Sequence, residues 1–349
     1  MLELRSPDGA FERIEAYLRE RSFFAPGGED LEADLYLGYG LSCPLRRRAS
    51  PLPPEPCPLP CAAVAIRDVS QGQSLGHVSI GHWDRSWSDA EYAHAVESVR
   101  DAIGRGEVYQ VNLVQHLSAD FAGDPTTLAE RLGAFGPRVL AGSGWAIVSA
   151  SPELFLARRG RRVWTCPIKG TRPLGEHVEG EKDAAEHVMI VDLERNDLSR
   201  VCEPGSVRWP ELMVERELAG VTHLVSTVAG RLREEVGLAE LLTATFPGGS
   251  VTGAPKIAAV DLIAEVEPVG RGASMGALGV VRGNGDLELK LTIRTFAIAE
   301  GKIHLWVGGG IVWDSDPEAE IEESWTKAGP LLAAIGAPVE AVAQHWTAQ

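Results

Sequence analysis

The sequence predicts a protein of mixed α and β structure, because strand-like runs and helical periodicities follow one another along the chain. Residues 107–117 alternate between apolar and polar side chains, as a half-buried strand does. Ser88 and Glu91 form the pattern of a capping box, and apolar residues then recur at helical spacing. Residues 183–198 read as a helix and residues 223–228 as a strand. The length of 349 residues suggests about two domains, or one large domain.

The composition is that of an acidic globular protein with a large core. Apolar residues make up 44% of the chain and charged residues 23%, and the net charge of −16 argues against a nucleic-acid or anionic-membrane partner. The five cysteines are odd in number and form no Cys-x-x-Cys pattern, so we expect reduced thiols rather than metal ligands. The sequence shows no apolar signal core or membrane-length apolar run, and we expect a cytoplasmic protein.

The N-terminal part of the chain predicts few regular elements. A helix is expected at 10–21 and a strand at 35–39. Residues 44–60 are rich in proline, which indicates a surface loop or a short extended linker.

The pentapeptide Pro167–Thr171 is the segment around which the chemistry is organised. A short strand at 163–166 leads into it, and Gly170 gives the backbone freedom just after Lys169. Lys169 follows Glu153 by sixteen residues, so an amine nucleophile and a carboxylic acid could act together. Taken alone, a lysine beside a turn is ordinarily a surface residue.

Four other polar residues have both a structural and a functional interpretation. Glu186 lies near the start of a predicted helix, where the helix dipole favours a carboxylate in any case. His223 lies in an apolar strand and is more often a hydrogen-bonded core residue than a catalyst. Gln110 and Asn112 share one face of their strand, as a core pair or as part of a site wall.

A glycine-rich loop at 246–256 leads into a predicted helix. It has the glycine spacing of a phosphate loop, but Ala254-Pro255-Lys256 replaces the Lys-Ser/Thr that binds nucleotide, which excludes a nucleotide site. Its backbone N–H groups could still bind an anion.

The C-terminal third predicts a strand at 287–299 with Arg294 inside it. A buried arginine is costly unless it is paired, so we expect a carboxylate partner from the protein or a ligand. Gly308–Gly310 interrupts the next predicted strand, which indicates either a bulge or a close approach of backbone to a ligand.

The last long helix is predicted to begin at Asp316-Pro317 and to kink or end at Gly329-Pro330. Glu320 and Glu323 are three residues apart and therefore neighbours on this helix. An acidic pair of this kind is usually solvated.

The ordered motifs resemble those of the chorismate-utilising enzymes, and among these the aminodeoxychorismate-forming branch is the most similar. The resemblance extends from about residue 88 to about residue 335 and implies an α+β fold, in which two large antiparallel sheets pack on each other with helices outside. The matching stretches are 106–113, 151–153, 167–171, 185–197, 223–227, 246–256, 293–295, 308–312 and 319–323.

Two positions distinguish branches of this family. Lys169 stands where the anthranilate-forming members carry alanine, and Gln110 stands where the isochorismate- and salicylate-forming members carry a lysine that activates water. Both favour the aminodeoxychorismate branch. An anthranilate-forming or aminodeoxyisochorismate-forming enzyme is the alternative, and a non-catalytic regulatory homologue is a third interpretation.

The resemblance implies that chorismate and ammonia react to 4-amino-4-deoxychorismate, on the route to para-aminobenzoate and folate, with ammonia supplied by a glutamine amidotransferase subunit. Lys169 would attack the ring, Glu153 would protonate the departing hydroxyl, and His223 would lie near that leaving group. A Mg²⁺ cofactor would be held by Glu186, Glu320 and Glu323. The implied substrate contacts are Thr252, Gly253, Ala254, Lys256, Arg294, Gly309 and Gly310.

The resemblance also implies a catalytic domain over 88–340 and a shortened N-terminal region over 1–87, which we expect to belong to the same domain. Two residues depart from the family pattern. Val280 stands where an aromatic substrate contact is usual, and Lys290 stands where the residue is usually small.

Overall fold

A computed structural model describes residues 1–67, 76–173, 181–218 and 221–337. It shows two large antiparallel sheets with helices outside them, which confirms the α+β architecture. Every strand pairing within the described residues is antiparallel.

The first sheet has ten strands among the described residues, in the order β1-β3-β2-β15-β16-β9-β10-β13-β11, with β12 also paired to β13. Its strands are β1 (Leu2–Leu4), β2 (Glu32–Leu37), β3 (Ala62–Ile66), β9 (Leu154–Arg159), β10 (Arg162–Cys166), β11 (Ile168–Pro173), β12 (Arg208–Leu218), β13 (Val221–Arg231), β15 (Ala277–Arg282) and β16 (Leu287–Leu291).

The second sheet has eight strands among the described residues, in the order β14-β6-β18-β17-β8-β7, with β4 and β5 also paired to β6. Its strands are β4 (Val78–Ile80), β5 (Asp84–Arg85), β6 (Gln110–Gly123), β7 (Arg138–Gly142), β8 (Trp145–Ser149), β14 (Gly253–Ala254), β17 (Thr295–Ala299) and β18 (Lys302–Ile311).

The part of the chain that the structure describes contains seven α-helices. They are α1 (Ala10–Arg19), α2 (Asp89–Gly104), α3 (Pro125–Arg131), α4 (Glu181–Ser199), α5 (Leu238–Thr245), α6 (Lys256–Val266) and α7 (Pro317–Ala334). Short 3₁₀ turns lie at Tyr39–Leu45, Gly133–Phe135 and Gly249–Val251. None of the described helices is long and apolar enough to cross a membrane.

Two buried clusters hold the sheets and helices together. The larger takes Leu35 and Leu37 from the first sheet and Val111 and Ile147 from the second, so it fills the space where the sheets meet. The smaller takes side chains from β6, β8, β17 and β18 together with Leu331 and the rest of the inner face of α7. These apolar contacts fix α7 against the second sheet. The acidic residues of α7 then lie beside the glycines of β18.

The N-terminal strands are integral to the first sheet, because β2 pairs with β15 along its whole length from Glu32 to Leu37. No regular element lies between Arg46 and Cys61, in agreement with the predicted proline-rich loop. The predicted boundary between the N-terminal region (1–87) and the catalytic domain (88–340) falls between β5 and α2. It stays a prediction.

The local signals in the sequence that predicted helix caps are confirmed. The capping box is present, since Ser88 N–H donates to Glu91 and Glu91 N–H donates to Ser88 Oγ. Asp316 caps α7 by accepting from Ala319 N–H at 3.0 Å. Of the kink or end predicted at Gly329-Pro330, the end is wrong, because α7 continues to Ala334.

The strand predicted at 287–299 is also wrong. It is two strands, β16 in the first sheet and β17 in the second, separated by Thr292-Ile293-Arg294. Arg294 has a left-handed φ of 49°, which turns the chain from one sheet to the other. Arg294 therefore lies at a crossing between sheets rather than inside a strand. Gly308–Gly310, by contrast, lies within an unbroken β18.

Candidate active site

Lys169 lies on β11, at one edge of the first sheet. The pairing of β11 with β13 shifts between Lys169 and Thr171, where Gly170 takes a left-handed φ of 63°. Glycine adopts this conformation without a steric penalty. Gly170 therefore has a backbone conformation that most other residues would adopt only at a cost. The ammonium Nζ of Lys169 lies 2.8 Å from Oε1 of Glu186 on α4.

The Lys169–Glu186 pair is nearly buried, with 14% and 13% of the two side chains exposed. Burial acts to lower the pKa of Lys169, but the charges of Glu186, Glu153 and Glu323 outweigh it and raise that pKa. Burial acts to raise the pKa of Glu186, but the Lys169 ammonium and the Gln110 amide outweigh it and lower that pKa. In this pairing Lys169 is an ammonium and is not nucleophilic.

Glu153 lies in the turn Ser151-Pro152-Glu153 that leads into β9, and 4% of it is exposed. Its carboxylate accepts from the N–H of Ile168 at 3.3 Å, which places it beside the backbone of the residue that precedes Lys169. Burial raises the pKa of Glu153, although the Lys169 charge and the Ser250 hydroxyl act in the opposite direction. A carboxyl group with a raised pKa is suited to donate a proton.

His223 and Arg294 lie near these groups. His223 is on β13 opposite Thr171 and is 1% exposed. Burial and the neighbouring charge of Arg294 lower the pKa of His223, so its imidazole is neutral at pH 7. Burial lowers the pKa of Arg294, and the Glu153 carboxylate partly restores it. Glu153 is thus a carboxyl group whose charge acts on Arg294, and a direct pairing of Arg294 with a carboxylate stays a prediction.

The glycines of β18 give three carboxylates access to one stretch of backbone. A Cβ atom at Gly310 would lie 2.7 Å from Oε1 of Glu186 and closer still to the Gln110 amide. A Cβ atom at Gly309 would lie 3.2 Å from Oε1 of Glu323 and 3.3 Å from Oε2 of Glu320. The missing side chains are therefore what allows these acidic groups to approach β18.

The two acids of α7 have partners of their own. Ser315 Oγ donates to Oε1 of Glu320 at 2.6 Å, and Glu320 is 5% exposed. Lys327 Nζ lies 2.6 Å from Oε1 of Glu323 and also donates to the carbonyl of Gly308 at 2.9 Å.

A divalent cation matches the chemistry of these acids, because carboxylate oxygens are the ligands that Mg²⁺ prefers. The absent Cβ atom of Gly309 also leaves room beside Glu320, Glu323 and the Lys327 ammonium. In the arrangement described, Glu186 instead pairs with Lys169, and Glu323 pairs with Lys327. No three His, Cys, Asp or Glu residues among those described are arranged to hold a metal ion.

The loop at 246–256 is held to both β6 and α4. Thr252 is fully buried, and its hydroxyl donates to the carbonyl of Gly248 at 2.9 Å. Gly253 has a φ of 140° and pairs with Val111, while Ala254 pairs with Gln110. The loop backbone thus lies directly beside Gln110, which contacts Glu186.

Lys256 was expected to contact substrate, but its ammonium is bound inside the protein. It donates to Asp197 Oδ2 at 2.5 Å and to the carbonyl of Thr245 at 3.1 Å. This pair joins α6 to α4 and has side-chain exposures of 11% and 8%. The substrate contacts proposed for the loop side chains stay predictions.

Sequence reasoning assigned no role to three residues of the site. The Ser250 hydroxyl acts to lower the pKa of Glu153, Lys327 neutralises Glu323, and the charge of Glu153 helps to raise the pKa of the buried Glu194. Lys327 had a local signal, because it follows Glu323 by four residues on one helix. The effects that involve Ser250 and Glu194 arise only through tertiary packing.

Comparison with known proteins places these residues in a family. The family model for chorismate binding enzymes matches residues 61–333. The anthranilate synthase component 1 of Streptomyces coelicolor is 39% identical over 290 residues, which are 78% of this chain and 57% of that protein. The aminodeoxychorismate synthase component 1 of Klebsiella aerogenes is 40% identical over 266 residues, which are 72% of this chain and 59% of that protein.

A solved structure shows the same architecture. Anthranilate synthase component I from Streptococcus pneumoniae superposes with a TM-score of 0.75 at 28% identity, covering 86% of this chain and 80% of that one. The chain spans less than two thirds of the length of the two curated relatives named above.

Proposed function

Because the chain belongs to the family of chorismate binding enzymes, we propose that it converts chorismate and ammonia into 4-amino-4-deoxychorismate. The observation that carries this proposal is the position of Lys169. Its amine lies in a nearly buried site beside Glu186, and the carboxyl group of Glu153 hydrogen-bonds to the residue before it. A nucleophile and a proton donor are thus adjacent.

Glu153 supplies the proton that the leaving hydroxyl requires. The hydroxyl at C4 of chorismate is a poor leaving group and departs as water when it is protonated. Burial raises the pKa of Glu153, which favours its acidic form, and neutral His223 and the Arg294 guanidinium lie in the same region. Arg294 would also bind a carboxylate of chorismate.

Lys169 provides the first new bond. Its neutral amine attacks C2 of the ring, the double bonds shift, the C4–O bond breaks, and the oxygen leaves as water with the proton of Glu153. Because Lys169 is an ammonium when it pairs with Glu186, it must first give up a proton. Excluding water from the site protects the resulting adduct.

Ammonia then completes the exchange. It attacks C4, the double bonds shift back, and the bond from C2 to the Lys169 nitrogen breaks, so that the lysine is released as an amine. A proton of the attached ammonia returns to Glu153. The net reaction consumes chorismate and ammonia and releases water. The product would serve para-aminobenzoate and folate formation.

Glu186, Glu320 and Glu323 are the residues that would hold Mg²⁺ in this enzyme. When bound, the cation would supply positive charge that neutralises a carboxylate of the substrate. Gly309 and Gly310 would present backbone rather than side chains to the same region, and Thr252, Gly253 and Ala254 would line the ring site.

Anthranilate formation is the second candidate, since one relative at 39% identity is an anthranilate synthase component 1. Lys169 is the observation against it, because the anthranilate-forming members resemble this chain but carry alanine there. An aminodeoxyisochorismate product is a further alternative of the same class.

A separate glutamine amidotransferase would supply the ammonia. A glutaminase needs an activated cysteine nucleophile. Burial raises the pKa of every cysteine in this chain, so none is poised as a thiolate.

The identity of the product tests the proposal. The purified chain is incubated with chorismate, Mg²⁺ and ammonium, and the product is identified by mass spectrometry and proton NMR. We expect 4-amino-4-deoxychorismate with nitrogen on C4. Fluorescent anthranilate would favour the second candidate, and unchanged chorismate would overturn both.

A further inference from the structure

Glu267 and Arg271 form a fully buried ion pair that the proposed mechanism does not use. Glu267 directly follows α6, and Arg271 lies four residues further along the chain. Only 2% and 1% of the two side chains are exposed. Nε and Nη2 of Arg271 donate to the two carboxylate oxygens at 2.8 and 2.7 Å. This two-point contact depends on the planar guanidinium, whose geometry a lysine cannot reproduce.

The same guanidinium binds two segments of the candidate active site. Its Nη1 donates to the carbonyl of Val251, in the glycine-rich loop, at 2.9 Å. Its Nη2 donates to the carbonyl of Asn112, on β6, at 2.6 Å. The Glu267 carboxylate accepts from the N–H of Val114, further along β6, at 3.0 Å. Arg271 thus joins the loop to β6, and Glu267 fixes Arg271 to the same strand.

The ion pair binds β6 where the backbone pairing of the loop with this strand ends. β14 is two residues long and pairs with the first two residues of β6. The next contact is one backbone hydrogen bond, from the N–H of Asn112 to the carbonyl of Thr252 at 2.8 Å. Beyond it, the side chains of Glu267 and Arg271 bind the buried backbone groups of β6. Arg271 therefore helps to set where the loop lies along β6.

Tyr39 restrains the guanidinium from one face. Its ring centroid lies 4.6 Å from Cζ of Arg271, within the range of a cation–π contact. Tyr39 belongs to the 3₁₀ turn that follows β2, so the N-terminal part of the chain contributes to this arrangement. With its four hydrogen bonds as well, the guanidinium is restrained both within its plane and across it.

We propose that Arg271 is a positioning residue for chorismate, because it sets the spacing between the glycine-rich loop and β6 on which the ring site depends. The inference rests on the proposed function for the assignment of residues 252–254 to the ring site, but not for the identity of the product. Gln110 at the start of β6 contacts Glu186, so the spacing also affects the acidic part of the site.

A residue that only stabilises the fold would give a different result on substitution. Its loss would lower the fraction of folded protein, so kcat would fall while the affinity of the folded molecules for chorismate stayed the same. Loss of a positioning residue lowers the affinity of the molecules that remain folded. The affinity for chorismate therefore separates the two roles.

The variant for this test removes the guanidinium without leaving a buried charge. Glu267→Gln/Arg271→Met keeps an acceptor for the Val114 N–H and replaces the ion pair with neutral side chains. Replacing a buried ion pair in this way often retains stability, whereas removing one partner does not. Urea unfolding measures the stability of this double variant beside that of wild type.

Calorimetry measures chorismate binding without turnover. The double variant and its parent both carry Lys169→Ala and are titrated without ammonia. We expect the dissociation constant to rise at least about tenfold, because a displaced loop makes poorer contacts with the ring and one lost contact is worth about this factor. Arg282→Lys is the control, since Arg282 pairs with Glu32 in the first sheet and should leave the affinity unchanged.

Hydrogen exchange gives a readout that needs no substrate. In the double variant, peptides that cover 110–114 and 249–254 should exchange faster than in wild type, while peptides from β8 and β17 should exchange as before. Arg271→Lys should show the same local change if the double variant folds poorly. An unchanged affinity for chorismate, or exchange that is faster throughout the chain alike, would overturn the inference. Failure of wild type to bind chorismate would instead sink the proposed function, and the exchange would still decide whether Arg271 sets the spacing.

Discussion

The Nζ atom of Lys169 lies 2.8 Å from Oε1 of Glu186, so the proposed nucleophile is held as an ammonium by a proposed metal ligand. A divalent cation on Glu186 would weaken the hold of this carboxylate on the Lys169 ammonium, so metal binding would favour deprotonation of the lysine.

The dependence of the rate on Mg²⁺ tests the carboxylates proposed as metal ligands. Glu323→Gln removes one of the oxygen ligands proposed for the cation, so the Mg²⁺ concentration for half-maximal rate should rise roughly tenfold or more. Glu322→Gln is the matched control, because Glu322 is the exposed neighbour on the same helix. Full activity of wild type in excess chelator would refute the requirement.

A substitution at Gly310 in β18 tests the geometry of the site. Gly310→Ala places a methyl group 2.7 Å from Oε1 of Glu186 and closer to Gln110, so both side chains must move. We expect activity to fall by about a hundredfold, because small displacements in a site cost that much. Gly329→Ala on α7 meets no atom within 4 Å and should leave activity unchanged. Wild-type turnover in Gly310→Ala would show that this contact is dispensable.

A buried histidine pair predicts how stability depends on pH. His116 Nε2 lies 3.0 Å from His304 Nδ1, and burial lowers their pKa values to about 3 and about 4. The unfolded chain binds these protons near pH 6.5, so stability is full above that pH and is lost as pH falls toward 4. The loss is up to about 1.4 kcal/mol per pH unit for each histidine.

Urea unfolding at several pH values measures this loss. His304→Leu should flatten the decline in unfolding free energy between pH 6.5 and 4.5, because one titrating group is removed. His94→Gln is the control, since His94 is exposed on α2. A decline of the same steepness in both variants would rule out the pair as its source.

Glutamine should not support turnover by this chain alone. The five thiols are free, and burial raises their pKa values. We expect product with ammonium salts and none with glutamine until an amidotransferase subunit is added. Release of glutamate from glutamine by the purified chain would overturn this expectation.

Much of the fold was predictable because its signals are local. The capping box at Ser88 and the cap at Asp316 each depend on a few neighbouring residues. Lys169 and Glu153 could be nominated as a pair because the motifs that carry them are short and ordered. In the structure Glu153 accepts from the N–H of Ile168, the residue before Lys169, and the catalytic roles of the two residues stay predictions.

The errors arose where tertiary contacts override local pattern. Apolar residues recur along the whole run at 287–299, which reads as one strand, and only the pairing of its two halves in different sheets shows that the chain turns at Arg294. Pro330 lies in the last turns of α7 and cannot donate a backbone hydrogen bond there. The packing of α7 on the second sheet outweighs this loss. Tertiary contacts also gave Lys256 a buried partner, Asp197, that is 59 residues away and has no signal in the local sequence, while its substrate contact stays a prediction.

The covalent role of Lys169 is the central claim, and trapping its adduct tests it most directly. Wild-type protein is incubated with chorismate and Mg²⁺ but no ammonia, quenched with acid and analysed by peptide mass spectrometry. Lys169→Ala is treated identically and is also assayed with ammonia. We expect the wild-type peptide that contains Lys169 to gain the mass of chorismate less water. Lys169→Ala should form no adduct and little 4-amino-4-deoxychorismate, with any residual product shifted toward anthranilate. Absence of the adduct in wild type, together with near wild-type formation of 4-amino-4-deoxychorismate by Lys169→Ala, would contradict the account.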